Sequence, residues 1–126
     1  MNAIPVFYSD EMLADSQCVS PSAAKPKPVV ESWLKLGIPI EVIRPEPVTL
    51  EQVARVHDPS FVDDVMSLRR DNGFDNRSSD VAKTLVWTSG AMLSAARRAI
   101  ASCGVAVAPC SGFHHAGYYG PEGFCT

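Results

Sequence analysis

The chain has 126 residues with an apolar fraction of 46%, 14 acidic against 11 Lys or Arg side chains, and a net charge of −3. That composition fits one globular domain, or part of one, and excludes global disorder. Basic residues are scattered rather than striped, which gives no reason to expect nucleic acid, and no apolar run approaches the roughly 18 residues of a membrane span.

In chain order, Ile4-Pro5-Val6-Phe7-Tyr8 is a strand candidate, followed by a polar loop of about 18 residues through Pro28, longer than most connections in compact domains. Val29, Val30, Trp33, Leu34 and Leu36 fall at helical spacing, with Gly37 as the stop signal. Ile38 to Ile43 reads as a second strand, with Pro39 marking its beginning or an edge. Thr49 followed by Gln52 is a capping-box pattern opening a short helix. Asp58-Pro59 starts the next helix, with Phe61, Val62, Val65, Met66 and Leu68 as its apolar face and Asp71-Asn72-Gly73 as its breaker. A long Ala-rich helix is expected from about Ser79 to Ala101, its apolar positions including Val81, Leu85, Ala91, Met92, Ala95 and Ala96. The run Gly104 to Ala108 reads as a buried third strand. This order predicts a parallel sheet with crossover helices. Three strands make a thin sheet, so the expectation is part of a larger α/β domain.

The N-terminus has no basic n-region or long apolar core, so no secretory leader is expected. Cys18, Cys103, Cys110 and Cys125 form no CxxC pair and are read as reduced thiols in a cytoplasmic setting, Cys103 and Cys110 as small buried hydrophobes.

The residues that promise chemistry lie in the last stretch, "SGFHHAGYYGPEGFCT". Adjacent imidazoles at His114 and His115 suit proton transfer near neutral pH, and a loop after a parallel strand is where α/β sheets place ligands. No further His, Cys or Asp stands at zinc-ligand spacing. Gly112, Gly117, Gly120 and Gly123 permit close backbone approach to a ligand. Phe113, Tyr118, Tyr119 and Phe124 could wall an apolar channel or simply form core. "GYYGPEG" lacks the spacing of a dinucleotide or phosphate loop.

The tandem His followed by Gly-Phe-Cys resembles the active-site motif of the zinc-dependent histone deacetylase and acetylpolyamine amidohydrolase superfamily. "VHDPSFVDDVMSL" and "NGFDNRSSDVAKTLVWTSGAMLSAARRAI" resemble that family's helix start, loop and long helix. The resemblance implies a three-layer αβα, arginase/deacetylase-like fold with a parallel sheet, of which residues 1–126 would be an N-terminal portion. It implies hydrolysis of acetyl-amides on lysine or polyamines, with His114 nearer the attacking water and His115 as general acid–base. Gly123 and Phe124 would line the acyl tunnel, Cys125 would lie near its floor, and Asp75 would hold the substrate backbone or else merely cap a loop. The family's zinc ligands, an Asp-x-His pair and a second Asp, follow this motif in later strands, and its first loop carries His-Pro-Glu-x-Pro where this chain has "SDEMLADSQCVSPSAAKP". The 126 residues alone are therefore expected to bind no zinc and to deacetylate nothing. The alternative is a non-catalytic module that self-associates, as a homo-oligomer, through an open sheet edge.

Overall fold

Two four-residue strands, β1 (Ile4–Phe7) and β2 (Ile40–Ile43), lie parallel in the computed structural model, which describes residues 3–110 and 112–126. Ile4 pairs with Ile40 and Phe7 with Ile43. Parallel pairing requires a crossover, and helix α1 (Pro26–Lys35) supplies it. Pro26 sits at its start, where a missing N–H costs nothing. Its end is a Schellman cap: Gly37 at φ +70 sends its N–H to the Leu34 carbonyl and Ile38 reaches back to Trp33. The loop before α1 is not wholly irregular, since Asp10–Met12 form a single 3₁₀ turn.

Helix α2 (Leu50–Val53) is held by the expected capping box. Gln52 N–H donates to Thr49 Oγ1 at 3.2 Å, and Thr49 N–H donates to Gln52 Oε1 at 2.8 Å. Helix α3 (Pro59–Met66) starts on Asp58 as predicted. It stops sooner than Asp71-Asn72-Gly73 would suggest, because Leu68 turns into the left-handed region at φ +61. Helix α4 (Ser79–Ser102) begins on the Ser78 hydroxyl. Val81, Ala91 and Ala95 are buried, whereas Met92 and Ala96 face solvent. Phe7 of β1, Met12, Ala91 and Ala95 form the core cluster, with Trp87, Ala106, Ala108 and Cys110 packed on it. The small alanines let α4 lie close to β1.

The third strand is the main correction. Within 104–108 only Val107 pairs, as a single parallel bridge to Val6, with Phe7 N–H donating to Val107 O at 2.8 Å and Val107 N–H to Pro5 O at 2.9 Å. The reason is local. Cys103, at φ +48, takes the left-handed cap of α4, and Gly104 N–H bonds back to the Ala99 carbonyl at 3.0 Å. Gly104 thus belongs to the helix end, Val105 is exposed, and too few residues remain before Cys110 turns back on Ala108 for a full ladder. Cys103 is consequently exposed and not a buried hydrophobe, while Cys110 is partly buried against the core. Burial pushes its thiol up to about 11. Among the described residues no helix is long and apolar enough to cross a membrane.

Candidate functional site

The start of α3 anchors the histidine loop. Asp58 accepts the N–H groups of Ser60 and Phe61 at 3.0 and 3.2 Å and also the Ser60 hydroxyl. That hydroxyl and the two amides hold its carboxyl below the usual carboxylate range. Residues on both sides of α3 grip the loop across about fifty to sixty positions of sequence. Three successive loop carbonyls, of Gly117, Tyr118 and Tyr119, accept from His57 Nδ1–H at 2.8 Å, Asp58 N–H at 2.9 Å and Arg70 Nη1 at 2.7 Å. The Arg70 guanidinium lies 5.0 Å over the Phe61 ring, a cation–π contact that fixes it.

Next comes the tandem histidine. The two exposed rings have centroids 3.9 Å apart, tilted by 50°. His115 Nδ1 lies 3.1 Å from the Gly123 carbonyl. A carbonyl can only accept, so Nδ1 donates in this bond, and in the neutral ring Nε2 is the nitrogen with the free lone pair.

Gly123 and Phe124 form the two central positions of a tight hairpin closed by Glu122 and Cys125, whose backbones bond both ways at 3.1 and 2.9 Å. Both central residues have positive φ, +53 and +63, as a type I′ turn demands. Gly123 is the residue such a turn selects, and a Cβ there would lie 2.7 Å from His115 Nδ1. A phenylalanine held in the left-handed region is an outlier. Its ring packs against Phe74 with centroids 6.1 Å apart.

Behind the hairpin stands Gly73. A Cβ on it would meet the Cys125 carbonyl oxygen at 2.3 Å, so only glycine allows this approach. Gly73 N–H also donates to Thr126 Oγ1 at 2.8 Å. Cys125 is buried, 3% exposed, beneath the exposed imidazoles. The ligand atoms of His114, His115 and Cys125 lie within 4.8 Å of one another, a grouping that spacing along the chain does not suggest because Cys125 stands ten positions after His115.

A polar cleft of about 420 Å³ brings Asp75, Gly123 and Phe124 together, with Arg69 and Arg77 on its wall. Asp75 is exposed at φ +57, its N–H bonded to the Asn72 carbonyl, which is the geometry of a loop-capping residue at the cleft's rim. An apolar cleft of about 450 Å³ is lined by Phe113, Ala116, Val56, His57, Phe61 and Leu85, among others. Tyr118 and Tyr119 line neither cleft. They pack edge to face on each other at 4.8 Å, both exposed. Of the four aromatics proposed as channel walls, Phe113 and Phe124 each line one of these clefts. His57, Phe74 and Gly73 shape the site, although the sequence reading gave none of them a role there and placed Gly73 only in a helix breaker.

Comparison with known proteins gives three findings. A family model, the histone deacetylase domain, matches residues 22–126. No curated protein sequence matches. The fold is similar to the crystal structure of the HDA15 HD domain, with a TM-score of 0.80 at 16% identity, over 98% of this chain and 39% of that one. The architecture is thus the α/β fold of that domain, and the chain spans well under half of the similar structure's length.

Proposed function

The chain belongs to the histone deacetylase family, and from that premise we propose that it supplies the acid–base pair and acyl-channel wall of a site that hydrolyses acetyl-amides of lysine or polyamines. The observation that carries this reading is the coupling of His115 to the Gly123-Phe124 hairpin through the Nδ1–H bond to the Gly123 carbonyl. That bond presents Nε2 of His115 as a proton acceptor next to the face where Phe124 lines a cleft. In this reading His114 lies nearer the attacking water. His115 takes the water's proton as oxygen bonds to the acetyl carbon, then returns it to the amine nitrogen as the C–N bond breaks. Phe124 flanks the aliphatic stem, Asp75 at the rim holds the substrate's backbone amide, and Cys125 forms the floor.

The family's metal is zinc, and the ligands it uses there do not occur in these residues. None of the eight Asp is followed two positions later by His, and among the described residues the only group of three metal-capable side chains contains no carboxylate. The 126 residues alone are expected to bind acetylated substrate without turning it over.

The test is a metal-free titration of the chain with an N-acetyl-lysine peptide, and in parallel with acetylspermidine, followed by NMR of the ring protons. Saturable shifts confined to His114, His115, Phe124 and their neighbours are expected, with no acetate released. Ligand-induced shifts that spare all three rings, or acetate release by the metal-free chain, would overturn the reading. A second reading, a non-catalytic module that self-associates, draws on the open apolar cleft between α3, α4 and Phe113. Light scattering of the same samples separates the two: mass rising with concentration and no ring shifts is its signature.

A further inference from the structure

We propose that the apolar face formed by α2, α3 and the outer side of α4 is an interface with a second copy of this chain, closing a two-fold symmetric dimer. The inference is independent of the acetyl-amide reading. It rests on the self-association reading only for the existence of a second copy, and it adds the face, the stoichiometry and the symmetry. Its root is that α4 is apolar on two sides. Val81, Ala91 and Ala95 are buried on the core, whereas Leu85, Met92 and Leu93 line the open cleft of about 450 Å³ against α2 and α3. The sequence pattern grouped Leu85 and Met92 with the core positions, and the fold leaves both on the side that no other element of the chain closes.

Three observations favour a second copy as the occupant. The first is area. The chain exposes 7428 Å², against about 6,600 Å² for a folded monomer of its 13.6 kDa mass. The surplus of roughly 850 Å² matches the about 800 Å² that each partner contributes to an interface of standard size. The second is composition. No Asp, Glu, Lys or Arg lines the cleft, while Phe61, Phe113, Met66 and Met92 do. That is the charge-poor, aromatic- and Met-rich makeup of an interface core. The third is shape. A two-fold contact sets one patch against itself, so the patch must offer both a hollow and the side chains that fill it. Val56 and Met92 line the cleft yet stand 66% and 45% exposed, and a flexible methionine fills irregular gaps. Across the two-fold axis, these side chains of each copy enter the cleft of the other.

The rival contact is the outer strand β2 with the end of α1, where Val42 and Leu36 are exposed. That edge carries an exposed Glu41 and begins beside Pro39, and a charge and a proline are what guard an edge against pairing. The helical face has no such guard. Phe113 and Ala116, which bracket the histidine pair in sequence, line the same cleft. The partner thus covers one flank of the histidine loop, and the stability of that loop rises with protein concentration by mass action.

The test is sedimentation velocity of the 126-residue chain from micromolar to near-millimolar concentration, at low and high salt. A monomer–dimer equilibrium is expected, stopping at two copies because the two-fold contact uses up the patch. Salt should not weaken it, since no Asp, Glu, Lys or Arg lines the cleft. M92E and V56E each set an unpaired carboxylate in the contact and should raise the dimer dissociation constant about tenfold or more. L36E and V42E, on the rival patch, should dimerise like the parent. All four replace exposed side chains, and circular dichroism checks that they fold; should M92E fail to, V56E decides. A chain that is monomeric throughout overturns the proposal together with the self-association reading. Species growing beyond the dimer, a dimer that M92E and V56E leave intact, or one lost in L36E or V42E overturns this face alone. The acetyl-lysine titration reads ring protons where this experiment reads mass, so either can fail while the other stands.

Discussion

Replacing Gly73 with alanine tests how the loop before α4 supports the hairpin that carries Gly123, Phe124 and Cys125. The added Cβ would lie 2.3 Å from the Cys125 carbonyl oxygen, 2.5 Å from its carbon and 2.7 Å from its nitrogen. All three are backbone atoms, so no side-chain rotation relieves the clash. Ordinary contact begins near 3.4 Å, so the hairpin must withdraw by about 1.1 Å. Overpacking of this kind costs about 1–3 kcal/mol. The withdrawal also breaks the 2.8 Å bond from Gly73 N–H to Thr126 Oγ1, worth about 1 kcal/mol. Together they predict a loss of about 2–4 kcal/mol, or a urea midpoint lower by about 1–2 M for a chain of this size. Thiol labelling followed by mass spectrometry should show Cys125, buried in the parent, reacting faster in G73A. Gly117 is the control, since a Cβ there meets nothing closer than 3.7 Å and G117A should unfold like the parent. A G73A protein with an unchanged midpoint and a protected Cys125 would refute the claim that this backbone contact seats the hairpin.

Two further outcomes follow from the site's supports. Asp58→Ala removes the acceptor for the Ser60 and Phe61 amides, so those two N–H groups should exchange with deuterium roughly five- to tenfold faster, the usual effect of a lost N-cap. Because the Asp58 carboxyl is held below the usual range, its contribution is present above the ordinary carboxylate value and lost as pH falls through the lowered one, a slope that D58A should lack. Cys110 works at the other end of the scale. Its thiol is raised from 9.0 to about 11, so the unfolded chain ionises first. Stability should hold below pH 9 and fall by up to about 2 kcal/mol as pH rises toward 11. Urea titrations of C110A across that window should show a flatter decline. It will not vanish entirely, because burial, aided by Asp10, raises the Tyr8 phenol as well.

What was legible in the sequence was what short-range chemistry decides. Thr49 with Gln52 and Asp58 with Pro59 announced their helices because a cap is a hydrogen bond between residues two or three apart. The long helix was visible within a residue at each end through its alanine content. The run 104–108 misled, since its apolar residues suit a strand, but the preceding helix end claims Gly104 through the Ala99 carbonyl. Competition between a cap and a ladder for one N–H leaves no trace in hydropathy. The site divides the same way. His114, His115, Gly123 and Phe124 stood out as a local motif, and the hairpin places them together. Gly73, Phe74 and His57 did not stand out, because their partners lie about fifty to sixty residues away and a contact across that distance carries no periodicity.

The grip of α3 on the loop has one consequence for how this stretch tolerates change. The carbonyls of Gly117, Tyr118 and Tyr119 meet, in strict succession, His57 and Asp58 before α3 and Arg70 after it. Substituting a side chain in that stretch leaves the backbone oxygens in place. Inserting or deleting one residue throws all three out of step at once. The tripeptide is thus a spacer of fixed length, insensitive to spelling and intolerant of miscounting, and it sets the distance at which the hairpin arrives beneath the two imidazoles.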